Sequence, residues 1–465
     1  MRDLLSSDLN SCFDGDTARG RPFPLPGSKT HYARSRDFHT EHIKLELSFD
    51  FAKRRLFGEV TVTLSALIDG LRKVELDGVE LLVKRVMMEG RELEFEYSGR
   101  TLGIEVGREL SAGEKVTVTV KYEASPRKGL YFIQPDEAYP SKPVQIWTQG
   151  EDEDSRYWYP CYDYPNDRST SEVVVTVPGR FTTISNGKLL DVLENADGTR
   201  TFHWREEIPH PSYLNSLVVG EYVKVEDVYD GVPVEYYVRP GREAEARRSF
   251  GKTPAMMRFF SEKLGVKYPY EKYAQTAVAD FTFGGMENIS ATTQTDLTLH
   301  DERAHLDFSS DGLVAHELAH QWFGDLFTCR DWSHGWLNEG FATYFDKLFM
   351  EEDKGHDEFL YEMILVAGRY RDEDAERYRR PIVEKVYETP SELFDRHLYE
   401  KGACVLHMLR FVLGEKLFWK SLAHYTQKSQ QQNVETDDLR RTIEEATGRN
   451  LEGFFSQWLY KAGHP

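Results

Sequence analysis

Cysteine is scarce in this chain. Cys12, Cys161, Cys329 and Cys404 are spread over 465 residues with no C-x-x-C pair, which excludes a disulfide framework and a thiolate metal site and fits a reducing, cytoplasmic compartment. Long apolar runs are missing as well. The amino terminus, MRDLLSSDLNSCFDGD, has neither a basic leader nor an apolar core, so neither a membrane span nor a secretory signal is expected. Positive charge is in deficit. With 58 Lys and Arg against 78 Asp and Glu, the net charge is −20, which repels phosphate backbones and anionic membranes and favours a cationic substrate. Neither nucleic acid nor a membrane is an expected partner. Internal repeats and low-complexity tracts are also lacking, and the length asks for at least two domains.

Much of the first half reads with period two. Ile43, Leu45, Leu47, Phe49 and Phe51 alternate with polar neighbours, and so do Val60, Val62 and Leu64, then Val116, Val118 and Val120, then Val173, Val175 and Val177. Such spacing predicts half-buried strands, and many of them with few helical stretches predict an antiparallel sandwich or curved sheet to about Gly220. Arg2 to about Arg36, rich in Gly, Pro, Ser and Asp, reads as an irregular lead-in draped over this first domain. Beyond Gly220 a short strand-like stretch, VPVEYYV, gives way to helices. Thr253 and Pro254 read as an N-cap and first turn of a helix stopping at Gly265, and Thr436 opens another that ends at Gly448.

The densest chemistry lies between Val314 and Tyr344, VAHELAHQWFGDLFTCRDWSHGWLNEGFATY. Residues i and i+4 of a helix share a face, so His316 and His320 can present ring nitrogens to one ion while Glu317 stands beside them. Eighteen residues separate His320 from Glu339, far enough for the first helix to end near Gly324 and a second to begin near Trp336. Two histidines and a glutamate leave a fourth tetrahedral position open, the composition of a hydrolytic zinc site. The bland reading is an amphipathic helix with surface histidines. Leu313, Val314, Leu318, Ala319, Trp322 and Phe323 oppose it, because apolar surroundings make unliganded imidazoles costly.

Three further clusters are open to two readings each. Gly284-Gly285-Met286-Glu287-Asn288 is either a tight turn with a solvated acid or a place where glycine lets backbone approach a ligand. Gln149-Gly150-Glu151 opens an acidic run that by itself reads as a solvated loop. Tyr399, ahead of a helix carrying Val405, Leu406 and Leu409, by itself reads as packing.

In their order along the chain, GGMEN, HELAHQWFGD, WLNEGFATYF and YEKGACVLHML resemble the gluzincin aminopeptidases of the aminopeptidase N and leukotriene epoxide hydrolase superfamily. TQGEDEDSRYWYPCYDYP and YLNSLVVGEY resemble the end regions of that family's amino-terminal sheet domain. The resemblance implies a multi-domain α/β fold, with an N-terminal antiparallel β-sandwich (saddle) domain over residues 1–220 and a thermolysin-like, mainly helical catalytic domain over 221–465. It also implies one Zn²⁺ per chain held by His316, His320 and Glu339, Glu317 as general base, and Tyr399 stabilising the oxyanion. Glu287, Glu151 and Gln149 would bind the free α-amine of a peptide, with Gly284, Gly285, Met286 and Asn288 completing the substrate site. The expected activity is that of a monomeric aminopeptidase acting on peptides with a free amino terminus.

Two departures from the family pattern bear on this expectation. The chain ends at QWLYKAGHP, where most members continue into further domains, so the cavity is expected to be open on one side. Gly285 stands where many aminopeptidases have Ala, as in the epoxide hydrolase branch, which raises a leukotriene-type epoxide hydrolase activity as a second reading. Ser391 and Phe394 replace the acid and tyrosine of that branch, and Glu151 replaces its glutamine, all of which favour peptide hydrolysis. A non-catalytic scaffold is opposed by the complete ligand set. An endopeptidase is opposed by the paired acids Glu151 and Glu287, since an internal peptide segment brings no cation to offset them.

Overall fold

The computed structural model describes residues 21–464. Residues 2–20 of the lead-in, with Cys12, lie outside the described residues. The alternating segments form a mixed eight-stranded sheet whose strands run, edge to edge, 188–194, 199–210, 169–178, 38–50, 55–66, 115–124, 81–88 and 91–92. Its pairs are antiparallel except one. Strand Ser169–Pro178 lies parallel to Phe38–Asp50, with Thr170 opposite His42, so the sheet departs from the fully antiparallel expectation. The inward residues of these strands, among them Leu45, Val60, Val118 and Val175, share one core with Val74, Leu76, Leu102 and Ile104 of a three-stranded sheet.

A four-stranded sheet, ordered 130–133, 145–148, 217–220 and 182–185, is buried on both faces. Alternation sends its side chains to different cores. Ile146, Leu217 and Val219 join the sheet core, whereas Trp147, Val218 and Ile184 join the core of the helical lobe. This sheet is therefore the shared wall, and the strand Gln145–Thr148 delivers Gln149-Gly150-Glu151 to the boundary between the two cores.

Val223–Tyr229 and Val232–Val238 begin a five-stranded sheet, continued by Tyr273–Val278, Ala291–Thr295 and, at one edge, Gly285–Met286. Nine helices accompany it among the described residues: α1 (Glu243–Phe250), α2 (Thr253–Leu264), α3 (Asp311–Ala319), α4 (Trp336–Lys354), α5 (His356–Glu376), α6 (Gly402–Leu413), α7 (Glu415–Ser429), α8 (Thr436–Thr447) and α9 (Glu452–Leu459). Helices α2 and α8 stop where expected, at left-handed Gly265 and Gly448. Helix α3 is shorter than expected. After His320 the backbone tightens, Gln321 bonding back to Leu318 and Trp322 to Ala319, before Gly324 turns the chain at φ +133.

The lead-in does not simply drape over the first domain. Arg34 and Arg36 do engage that domain, through Asp77 and Asp167. Arg21–Pro22 and Lys29–Thr30 instead pair with Tyr378–Arg379 and Val386–Tyr387 of the helical lobe. Backbone pairing of this kind carries no side-chain periodicity over two residues, so composition could not reveal it.

Helices α4 and α6 meet at a glycine pair. A Cβ on Gly340 would lie 3.1 Å from Gly402 Cα and 3.4 Å from Leu398 O, so even a methyl group there would press on the backbone of the facing turn. The close approach also brings the turn before α6 against the start of α4, where Glu339 sits. Gly368 in α5, by contrast, faces open space. Gly368→Ala is expected to stabilise the fold by about 0.5–1 kcal/mol of helix propensity and so raise the melting temperature, and Gly340→Ala to destabilise it by roughly 1–3 kcal/mol of overpacking and so lower it. Thermal unfolding checks the pair; shifts of the same sign would contradict the assigned contact.

Candidate metal centre

Helix α3 ends with His316 on its last turn and His320 at its cap, and α4 packs across it so that Glu339, in its first turn, faces both. His316 Nε2 lies 3.1 Å from His320 Nε2 and 3.3 Å from Glu339 Oε2, and His320 Nε2 is 3.2 Å from the same oxygen. A tetrahedral zinc at about 2.0–2.1 Å from each ligand needs donor atoms roughly 3.3 Å apart. The triangle fits that ion. Burial pushes Glu339 up, but the two imidazoles outweigh it and hold the carboxyl at about 2, so it is an anion ready to ligate.

The far ring nitrogens are also engaged. His320 Nδ1 donates to the Phe323 carbonyl at 2.9 Å, which leaves its Nε2 lone pair for an ion. His316 Nδ1 lies 3.7 Å from Asp346 Oδ2. Sequence reasoning did not name Asp346, although it stands seven residues after Glu339, on the same face of α4.

Glu317 is buried beside the triad. Burial raises its carboxyl to about 8 against the pull of both imidazoles. Gly285 passes directly over it: a Cβ there would come 2.3 Å from Glu317 Cδ. A side chain at this position would require the end of the Glu317 side chain to shift. Tyr399 lies in a π-helical turn, His397–Lys401, immediately before α6, with its ring stacked 6.2 Å from that of His316. Burial, then the charge of Glu339, pushes its phenol well above the ordinary value. It stays a proton donor.

On the other side of the triad, carboxylate oxygens of Glu151, Glu287 and Glu339 lie within 4.8 Å of one another. Burial raises both Glu151 and Glu287, and Glu339 adds to each. Oε1 of Glu151, Oε1 of Glu287 and Oε1 of Gln149 are all shut off from solvent without a hydrogen-bond partner. Gln149 is oriented by its amide donating to Met286 Sδ at 3.0 Å, which turns the oxygen away from the methionine. Gln321, another residue missed in the sequence, donates to the Glu287 carbonyl and accepts from the Ser290 amide, clamping the GGMEN segment to the end of α3. Gly284 O accepts from the Thr295 amide. Asn288 donates to Thr293 Oγ1 at 3.1 Å.

The acidic run after Gln149 is not a solvated loop. Burial raises Glu153 to about 7 and Asp154 to about 6, and Glu153 accepts from Trp332 Nε1 at 3.2 Å. No helix among the described residues is long and apolar enough to cross a membrane.

Residues 39–214 match the peptidase M1 N-terminal domain and residues 248–458 the peptidase family M1 domain. Among curated proteins, the chain is 33% identical over 333 residues to Aminopeptidase M1 of Arabidopsis thaliana, covering 68% of this chain and 37% of that protein. It is 28% identical over 436 residues to Probable aminopeptidase 1 of Sulfurisphaera tokodaii, covering 91% of this chain and 53% of the relative. A third relative is the Puromycin-sensitive aminopeptidase of Caenorhabditis elegans, 31% identical over 354 residues, with 73% and 37% covered. The chain thus spans between about a third and a half of the length of these relatives.

The distance from Asp346 to His316 generates a test of the centre. Asp346→Asn keeps the shape but removes the charge behind His316, and is expected to weaken zinc retention about 10- to 100-fold. Competition with a chelator measures it. Unchanged zinc affinity would mean that His316 needs no such support.

Proposed function

The chain belongs to peptidase family M1, and on that footing we propose that it is a zinc-dependent aminopeptidase, removing the first residue from peptides with a free amino terminus. Residues up to 220 serve as the sheet domain and 221–465 as the catalytic one. The observation that carries the reading is the convergence, beside a zinc-sized triad, of the Glu151 and Glu287 carboxylates, each with an oxygen shut off from solvent without a hydrogen-bond partner, as is the amide oxygen of nearby Gln149. An ammonium offers three N–H donors and a positive charge to such a set. An internal peptide segment offers neither.

His316, His320 and Glu339 would hold Zn²⁺, which would supply Lewis acidity toward a water and the substrate carbonyl. Glu317, buried beside the triad, can take the water's proton and return it to the departing amine, the cation held by its neighbours offsetting the burial that raises its carboxyl in their absence. Tyr399, kept protonated, donates to the oxygen on which negative charge develops. Glu151, Glu287 and Gln149 fix the α-ammonium, and so determine that the first peptide bond lies over the centre. The unpaired edge of Gly285–Met286 suits an extended substrate, which adds to a sheet through its backbone. Three free cysteines among the described residues and the acidic charge fit a reducing, cytoplasmic setting, and the active unit proposed is a monomer.

The amine anchor sets the test. N-acetylated peptides leave the buried acids without a cation and should be cleaved far more slowly than free ones. Glu287→Ala and Glu151→Ala should each shrink that discrimination and weaken inhibition by free amino-acid analogues. Steady-state kinetics on paired free and acetylated substrates decides it; equal cleavage of both by the unmodified protein would overturn the aminopeptidase reading in favour of an endopeptidase.

A further inference from the structure

A second cluster of ligand-type side chains lies in the helical lobe, where Glu373, Asp395 and His397 bring ligand atoms within 4.8 Å of one another. Its carboxylates are already taken. Asp395 accepts from Arg380 Nη2 at 2.5 Å and Nε at 2.8 Å, and from the Tyr378 hydroxyl at 3.0 Å. Glu373 accepts from Arg377 Nη1 at 3.1 Å and the Arg396 amide at 2.7 Å. A metal would have to displace a fully buried guanidinium, so the cluster is an ion-pair network and not a second metal centre.

What the network holds is the turn that carries Tyr399. Asp395 Oδ1 also accepts the backbone amides of His397 at 3.0 Å and Leu398 at 3.1 Å, and the Asp395 carbonyl accepts that of Tyr399 at 3.2 Å. His397 sits among three acids, 3.3 Å from Asp374, 3.5 Å from Asp395 and 3.6 Å from Glu373. The turn itself is π-helical, a wider winding that depends on its surroundings more than an α-helix does. From outside, the lead-in closes over the network. Phe23, buried, lies under the Arg380 guanidinium at 5.0 Å and edge-on to Tyr378 at 5.0 Å, and Arg21–Pro22 pairs with Tyr378–Arg379.

We infer that the Arg380–Asp395 ion pair, covered by Phe23 of the amino-terminal lead-in, is the positioning element for Tyr399. A segment more than three hundred residues away in the chain thereby acts on the oxyanion donor without touching the triad or the amine anchor. The inference rests on the proposed role of Tyr399.

The test uses the full chain loaded with zinc, as Phe23→Ala and Asp395→Asn, each with and without Tyr399→Phe. On an aminoacyl amide, kcat is expected to fall about 10- to 100-fold while KM stays within a few-fold and zinc content is unchanged. Phe23→Tyr should restore the rate. In the Tyr399→Phe background neither variant should lower kcat further, and amide hydrogen exchange over residues 397–402 should quicken in Phe23→Ala. Phe23→Ala carries the test even where Asp395→Asn does not fold. Unchanged kcat in Phe23→Ala, an equal further loss in the Tyr399→Phe background, or unaltered exchange at 397–402 would each overturn the anchor. Full turnover by Tyr399→Phe alone would instead remove the role assigned to Tyr399, and this inference with it.

Discussion

Negative charge withdrawn from water is the constraint on which the site depends. Glu287, Glu317 and Glu339 are buried, Glu151 keeps one oxygen shut off from solvent, and among the described residues the imidazoles of His316 and His320 stand close by to offset them. Carboxylates in such surroundings are costly unless paired. The cost shows in the raised carboxyls of Glu151, Glu287 and Glu317. On the proposed function, a divalent ion on the triad would relieve one side of the imbalance and a substrate ammonium the other, so that metal binding and substrate selection would answer one electrostatic problem.

The fold supplies that arrangement by bringing four separate segments to one place. The shared wall between the two cores presents Gln149 and Glu151, and the edge strand presents Gly285 to Glu287, tied to α3 by Gln321. Helices α3 and α4 contribute the triad. The glycine contact between α4 and α6 brings in Tyr399. Each is fixed by backbone hydrogen bonding or close packing, the kind of support that holds reacting groups within a narrow geometry.

His316 and His320 were legible as a pair because i, i+4 spacing on a helix is a local geometric fact, and the alternating strands were legible for the same reason; Glu339 was tied to them by its place in the motif that the resemblance supplies. What could not be read were contacts between distant segments. The parallel pairing of Phe38–Asp50 with Ser169–Pro178, the lead-in's pairing with Tyr378–Arg379, and the meeting of Gly340 with Gly402 leave no mark in periodicity. The half-burial of the EDED run was hidden too, since four consecutive acids read as solvated unless partners such as Arg156 and Trp332, which reach Glu153, are known. Asp346 falls between the cases: its spacing from Glu339 was visible, but nothing in the sequence said that the face it shares looks onto His316.

The central claim is that Glu317 acts as the proton carrier beside a zinc ion held by its neighbours. The direct measurement is zinc content and peptide turnover of Glu317→Gln, a change that keeps the side chain's size and removes its basicity. The account predicts one zinc per chain, as in the unmodified protein, with turnover lower by orders of magnitude. Turnover at the unmodified rate would contradict it, and the proton carrier would have to be sought elsewhere.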